Sequence, residues 1–258
     1  MPDINLNFKS LRVNFRKHGI EISENVFHRF HPATLNIGEE ICVFCKSTLN
    51  LTKEHVFPKW LFEKNTEIRF ISSVNRQSQT YNKAVIPTCS DCNNDTLAEI
   101  EKHIIRILDV LDNNPKIFTD ELEDIIRWLE ILDYKTQVYD CRRKYIKYED
   151  SEYDPFWGIL PLAHMRHFIE MNPYKALDYL RRAQRRITVK SKINRLNSLI
   201  FFRTSKPHFD FFCQPDEYIY VSFPMYQMAV FYFLRVEFDN IKDAGDEALY
   251  YIDQVSKS

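Results

Sequence analysis

The sequence predicts an α+β fold in which a small cysteine-bearing segment is followed by a helical segment and a small antiparallel sheet. Three observations lead to this prediction. Two Cys-x-x-Cys pairs lie between positions 42 and 92. Apolar residues recur at helical spacing between positions 97 and 137. Short runs rich in Phe, Tyr, Ile and Val, separated by turn residues, occupy positions 199–238.

Composition excludes several classes of protein. The chain has 258 residues, of which 45% are apolar, and its 20 Phe and 14 Tyr are ample for a packed core. Its four glycines cannot form a Gly-rich phosphate loop, which excludes P-loop and dinucleotide-binding folds. The first residues lack the apolar core of a signal peptide, and no apolar run is long enough to cross a bilayer. We therefore expect a cytoplasmic protein with no membrane partner.

The first part of the chain is predicted to contain short strands. Residues 1–38 form an N-terminal extension whose pattern fits a strand or a helical face. A strand over 41–46 bends at the first cysteine pair, and a second strand over 51–57 is ended by Pro58, which has no N–H to donate to a ladder. The polar stretch 63–83 indicates a hairpin or an exposed insert.

Helices are predicted next. One begins near position 97, with Thr96 and Glu99 as a capping box, and one spans 119–137 with Thr119 as N-cap. Two more are expected over 160–170 and 174–187. The remaining predicted elements are antiparallel strands over 199–203, 209–213, 218–223 and 228–238 and a final helix over 243–255.

The paired cysteines predict a metal site. Each Cys-x-x-Cys turn directs two thiolates at one point, and two such turns complete a tetrahedron for Zn²⁺. The ligands would be Cys42, Cys45, Cys89 and Cys92. Four thiolates leave no open coordination position, so the zinc is expected to be structural. The other two cysteines, at positions 141 and 213, stand alone and are expected to be buried thiols.

The order of motifs carries a family resemblance. Glu54-His55 lies between the cysteine pairs, and Asn93 follows Cys92. This combination, over about residues 41–99, resembles the HNH endonucleases of the ββα-metal (His-Me finger) superfamily, in the zinc-bearing subgroup. The resemblance implies that His55 is the general base, and that Glu54 and Asn93 bind one catalytic Mg²⁺ or Mn²⁺.

The resemblance is incomplete in three places. Glu54 stands where the family usually has Asp, and Thr96 stands where a Lys often lies four residues after the last cysteine. Asn94 is an alternative to Asn93 as the metal ligand. The middle Asn of the family pattern has no clear counterpart. Candidates for it are Asn82, Asn75 and Gln77. Adjacent strand residues point to opposite faces, so Glu54 and His55 can share one site only near a strand end, which Pro58 makes plausible.

The predicted function is therefore that of a metal-dependent endonuclease that hydrolyses phosphodiester bonds of nucleic acid. DNA is favoured as the partner, and the sequence does not separate DNA from RNA. Basic residues expected to contact nucleic acid are Lys53, Lys59, Arg181, Arg182, Arg185 and Arg186. The alternative is a non-catalytic zinc module that binds nucleic acid or protein. By analogy, compact nucleases with an added domain occur among bacterial defence (including phage-defence) and mobile-element proteins.

The predicted domain organisation has three parts. An N-terminal extension covers 1–38, an HNH-like zinc-stapled module covers 39–112, and an α+β domain with no assigned role covers 113–258. The last part could select the substrate, dimerise or restrain the nuclease. A homodimer and a regulatory protein partner both stay open.

Overall fold

The computed structural model describes residues 3–30, 38–62, 69–71, 78–113, 116–141 and 173–257. Its helices are α1 (Ile4–Phe30), α2 (Lys59–Phe62), α3 (Ala98–Asn113), α4 (Thr119–Cys141), α5 (Pro173–Thr188) and α6 (Ile241–Lys257). Its strands are β1 (Leu51–His55), β2 (Arg69–Ile71), β3 (Ser78–Thr80), β4 (Val85–Cys89), β5 (Leu199–Arg203), β6 (Phe211–Gln214), β7 (Tyr218–Phe223) and β8 (Met228–Phe233). The α+β class with small antiparallel sheets is confirmed. The helix predicted over 160–170 lies outside the described residues.

The N-terminal extension is a long helix, α1, where the sequence left strand and helix open. Its buried residues follow the three- and four-residue spacing of one helical face. They are Phe8, Leu11, Phe15, Ile22 and Val26. This face packs mainly against α5 and also contacts α3 and α4.

The cysteine-bearing segment is built on an antiparallel hairpin of β1 and β4, in which Leu51 pairs with Cys89 and His55 pairs with Val85. The strand predicted over 41–46 does not form. The chain turns there instead, because the Lys46 N–H donates to the Cys42 carbonyl at 2.9 Å and Lys46 takes a left-handed backbone with φ of 69°. Between the two strands of the hairpin, β2 and β3 form a second antiparallel pair, as the polar stretch suggested.

The helix after β4 begins earlier than predicted. A π-helical segment, Asp91–Leu97, runs directly into α3. Thr96 therefore lies inside a helix, and the predicted capping box with Glu99 is wrong. The wider π turn starts two residues after β4 and carries Cys92 and Asn93 in its first turn. Wide turns of this kind are frequent at functional sites.

The C-terminal sheet has the strand order β5–β8–β7–β6, with all neighbours antiparallel. Alternate residues face two cores, as expected for strands covered on both faces. Ile219, Val221 and Phe223 join the main core with α1, α3 and α4, whereas Tyr220 packs with the face covered by α6. Relative to the prediction, β6 begins two residues later and β8 ends five residues earlier, at Phe233.

A buried ion network joins α4, α5 and the turn before β7. The Arg186 guanidinium donates to Asp133 of α4 at 2.6 Å and also to Asp216. Arg182, one turn earlier on α5, donates to the same Asp216 at 2.6 Å. Only 1% of the Asp133 side chain is exposed, so its charge depends on Arg186 for compensation.

We expect Arg186→Met to lower the free energy of unfolding by about 3–5 kcal/mol, because it leaves the Asp133 carboxylate buried without its partner. The matched control is Arg185→Met, at the exposed neighbouring position, which should change that free energy by no more than about 0.5 kcal/mol. Urea unfolding followed by circular dichroism measures both. Equal effects of the two substitutions would contradict the structural role of Arg186.

Candidate metal centre and active site

The four predicted cysteine ligands converge. The Sγ atoms of Cys42, Cys45, Cys89 and Cys92 all lie within 4.8 Å of one another, and those of Cys45 and Cys89 are 3.5 Å apart. A tetrahedral zinc with Zn–S bonds of about 2.3 Å needs sulfurs about 3.8 Å apart. The donor set and its spacing therefore fit the ion, and this group could hold a metal such as zinc. The metal-binding part of the prediction is confirmed to that extent.

Local backbone geometry sets the positions of these sulfurs. In the first turn, the Phe44 N–H donates to Cys42 Sγ at 3.5 Å, and the Cys42 N–H donates to the Ser47 carbonyl at 2.7 Å. Cys89 is the last residue of β4, and Cys92 lies in the first turn of the helix that follows. The four sulfurs thus join the first turn, the end of β4 and the start of the following helix. The Val43 N–H also links this turn to β4, by donating to the Pro87 carbonyl at 3.1 Å.

Hydrogen bonds among the thiols shift their pKa values in opposite directions. The hydrogen bond from Cys42 is the largest effect that lowers the pKa of the Cys45 thiol, to about 2. The same contact raises the pKa of Cys42 to about 12, with a further contribution from burial. Hydrogen bonds with Cys42 and Cys45 also raise the pKa of Cys92. A bound divalent metal would displace the protons of its thiol ligands.

Asn93 is fixed against the hairpin. Its Nδ2–H donates to Thr52 Oγ1 at 2.9 Å, and the Thr52 hydroxyl donates to the Thr88 carbonyl at 2.7 Å. This contact uses the amide nitrogen and leaves the oxygen, Oδ1, as the atom suited to a metal ion. Since Thr52 and Glu54 are two residues apart on β1, Asn93 covers the strand face to which Glu54 belongs. The alternative ligand, Asn94, is exposed.

Glu54 is buried and bound to a lysine that the sequence prediction missed. Lys135 of α4 donates its ammonium hydrogens to Glu54 Oε1 and to the His55 carbonyl at 3.2 Å. The Lys135 ammonium also lies 3.5 Å from Glu101 Oε1. Burial raises the pKa of Glu101 to about 7. For Lys135, burial acts to lower the pKa, but the two carboxylates outweigh it and raise the pKa overall. The only signal in the sequence was a single lysine among the acidic and apolar residues of the predicted helix.

His55 is the last residue of β1, at the strand end where a site shared with Glu54 is possible. Burial is the largest effect that lowers the pKa of its imidazole below the ordinary value of 6.5, and the positive charge of Lys59 adds to it. A hydrogen bond with the backbone of Asn82 acts in the opposite direction. At neutral pH the ring is therefore uncharged, with one nitrogen held by the backbone and the other able to accept a proton.

The middle Asn of the family pattern is only partly accounted for. The backbone of Asn82, rather than its exposed side chain, contacts His55. The other two candidates, Asn75 and Gln77, lie outside the described residues. Among the contacts of the described residues, none joins the Glu54 carboxylate directly to the Asn93 amide. The predicted site thus appears as two parts, one around Thr52 and Asn93 and one around Glu54, Lys135 and His55.

The basic residues predicted to contact nucleic acid fall into two groups. Lys53 and Lys59 are exposed on either side of Glu54-His55. On α5, Arg185 is exposed, whereas three arginines are engaged by carboxylates. Their partners are Glu24 for Arg181, at 3.1 Å, and Asp216 for both Arg182 and Arg186. Contact of these residues with phosphate stays a prediction.

Comparisons with protein-family models, with curated proteins and with solved structures found no match. Of the helices in the described ranges, none has the length and apolar character needed to cross a membrane.

We expect Cys45→Ser to reduce bound zinc well below one ion per chain and to lower the melting temperature, because the site contributes folding free energy. Cys213→Ser is the matched control, since Cys213 lies on β6 outside the four-sulfur group and should leave the metal content unchanged. Elemental analysis of the purified proteins and thermal unfolding give the two measurements. Full zinc occupancy in Cys45→Ser would contradict the assignment.

We expect Lys135→Met to lower the free energy of unfolding by about 3–5 kcal/mol, because Glu54 loses its buried counter-charge. The double variant Lys135→Met/Glu54→Gln should recover part of this loss, since the unpaired carboxylate is also removed. Lys102→Met, on an exposed lysine of α3, is the control and should stay within about 0.5 kcal/mol of the wild type. A double variant less stable than Lys135→Met alone would argue against the ion pair.

Proposed function

We propose that this chain is a metal-dependent endonuclease of the HNH type that hydrolyses phosphodiester bonds, with DNA as its substrate. One observation carries the proposal. The hairpin of β1 and β4 leads directly into a helix, and four cysteine sulfurs tie these elements together. Glu54-His55 ends the first strand and Asn93 opens the helix, which is the order that the resemblance requires.

His55 is the proposed general base. A base must be uncharged before it takes a proton from water, and burial keeps the His55 imidazole neutral by lowering its pKa. The hydrogen bond with the Asn82 backbone holds the ring and leaves one nitrogen for the attacking water. The Lys135 ammonium, which binds the His55 carbonyl, fixes the strand end from the other side.

Glu54 and Asn93 are the proposed ligands of a catalytic Mg²⁺ or Mn²⁺. Each has one oxygen that is not used in the contacts described above, Oε2 of Glu54 and Oδ1 of Asn93. Carboxylate and amide oxygens are the ligands that such hard cations prefer. When bound, the ion would stabilise the negative charge that develops on the leaving 3′ oxygen. The zinc at the four cysteines would have no part in the reaction. Its thiolate ligands suit a reducing compartment such as the cytoplasm.

The phosphate backbone would be held near the site by the exposed Lys53 and Lys59. Neutralised phosphates account for most of the affinity of proteins for nucleic acid, independently of sequence. Arg185 of α5 is also exposed, whereas Arg186 is already occupied by buried carboxylates. Of the six basic residues predicted for this role, the two lysines beside His55 are therefore the best supported.

One observation favours a second candidate, a non-catalytic zinc module that binds nucleic acid or protein. The Lys135 ammonium already bonds to the Glu54 carboxylate and would compete there with a divalent cation. If this competition prevents metal binding, Glu54-His55 would serve only to join α4 to the hairpin. This candidate predicts binding without turnover.

We expect the wild type to cut plasmid DNA when Mg²⁺ or Mn²⁺ is added, and His55→Ala to lower the rate by about 10²–10⁴-fold through loss of the general base. The pH profile provides an independent check. Because burial lowers the pKa of His55, the rate should be constant above pH 6.5 and should fall when the pH drops through that lowered pKa. Gel analysis of nicked plasmid and of RNA in parallel measures rate and substrate class.

His28→Ala is the matched control, because His28 is exposed near the end of α1 and should leave the rate unchanged. Zinc content and melting temperature of His55→Ala should match the wild type, which separates a lost base from a lost fold. Undiminished cleavage by His55→Ala would refute the site. Binding without cleavage in any metal, unaffected by His55→Ala, would support the second candidate.

A further inference from the structure

A cavity of about 340 Å³ lies between α2 and two turns of the C-terminal sheet. Its walls are largely aromatic and apolar, and its mouth carries polar side chains. The residues that matter for the argument are Trp60, Phe62, Phe209 and Met225 in the walls, and Ser205 and Lys206 at the mouth. A volume of this size is at the lower end of the range that small-molecule sites occupy.

Trp60 gives the cavity a rigid aromatic wall. Its ring is stacked on Phe223 at a centroid distance of 6.2 Å and an interplanar angle of 6°, and it is also stacked on Trp128 at 6.2 Å. The indole Nε1–H is buried and has no hydrogen-bond partner in the described part of the chain. Buried indole N–H groups normally find an acceptor. Neighbouring atoms close off this nitrogen, so Trp60 contributes its ring to the cavity and not its N–H.

The cavity is close to the proposed catalytic histidine. The ring of Phe209, in the cavity wall, contacts the ring of Tyr81 at 4.7 Å. Tyr81 directly precedes Asn82, whose backbone is hydrogen-bonded to His55. On the other side, α2 begins at Lys59, the residue whose charge acts on His55, and Trp60 follows it. Two short routes thus connect the cavity lining to His55, one through Tyr81 and Asn82 and one through Trp60 and Lys59.

We propose that this cavity receives an unstacked nucleobase from the strand whose phosphate lies at His55. The inference rests on the proposed nuclease function and specifies its substrate as a strand with unpaired nucleotides. A nucleobase is flat and aromatic, which matches the aromatic and apolar lining of the cavity. Lys59, next to Trp60 in the chain, and Lys206, in the cavity lining, are both exposed. The Lys206 ammonium pairs with Asp210 Oδ2 at 2.8 Å, so Lys59 is the better candidate to neutralise a flanking phosphate. A base inside a duplex cannot enter without being extruded from its stack.

The test fills the mouth of the cavity without touching the core. Ser205 is exposed, so Ser205→Trp should fold normally while its indole blocks entry. Ser10→Trp, at an exposed position on α1, is the matched control. Fluorescence anisotropy, without added divalent ion, measures the binding of a dye-labelled single-stranded 12-mer and of the blunt duplex of the same sequence. A deoxyadenosine monophosphate competition arm distinguishes a free nucleotide from a base within a strand.

We expect Ser205→Trp to bind the single strand at least about five-fold more weakly than the wild type, because one base–aromatic contact is lost. Duplex binding and the Ser10→Trp variant should be unchanged. Competition by the monophosphate would show that the cavity accepts free nucleotides, and its absence would restrict the occupant to a base within a strand. Single-strand binding that is equal in Ser205→Trp and wild type would overturn the proposal.

The two proposals fail separately. If the wild type cleaves plasmid and Ser205→Trp binds the single strand as tightly as the wild type, the nuclease proposal stands and the cavity is not a base site. Single-strand binding that is sensitive to Ser205→Trp, without cleavage in any metal, would retain the base site and favour the non-catalytic candidate.

Discussion

The convergence of four cysteine sulfurs is the constraint on which the proposed site depends. The hairpin of β1 and β4 is short, and an isolated two-stranded hairpin is only marginally stable in water. The sulfurs connect the turn that precedes it, the end of β4 and the start of the following helix. This connection holds Asn93 against Thr52. An oxygen ligand positioned in this way loses little conformational freedom when it binds an ion.

Helix α4 holds both the first cysteine turn and the end of β1. The Tyr134 hydroxyl donates to the Val43 carbonyl at 2.6 Å, which ties α4 to the first cysteine turn. The next residue, Lys135, binds Glu54 and the His55 carbonyl. Two consecutive residues of one helix thus reach both the metal turn and the end of β1. The second half of the chain therefore shapes the candidate site, although the motifs that define the site all lie in the first half.

The sequence predicted best those elements whose signals lie in residues that are neighbours in the chain. Paired cysteines at short spacing and the helical spacing of apolar residues in α4 are signals carried by neighbouring residues, and both were predicted correctly. The helix α1 was left open because Leu6, Val13 and Ile20 are exposed and blur its apolar face. The early start of the helix at Asp91 involves a π turn, for which the sequence has no simple signal.

Contacts between distant residues were the least predictable. The run of arginines on α5 looked like a phosphate-binding surface, yet Arg186 is paired with Asp133 of α4 and Asp216 before β7. Lys135 meets Glu54 across 81 positions of the chain. Whether a charge is solvated or internally paired depends on the tertiary fold, and composition alone cannot separate the two cases.

The contact between Lys135 and Glu54 is compatible with a catalytic metal, because it uses only one oxygen of the carboxylate. Holding Oε1 restricts the rotation of the carboxylate and thereby fixes the direction of Oε2. When Glu101 is ionised, the two carboxylates and one ammonium leave one uncompensated negative charge in a buried place. Burial raises the pKa of Glu101 to about 7, because a second carboxylate is costly in this environment. In the proposed enzyme, a cation bound by Glu54 Oε2 would offset this charge, and Lys135 would orient the carboxylate toward it.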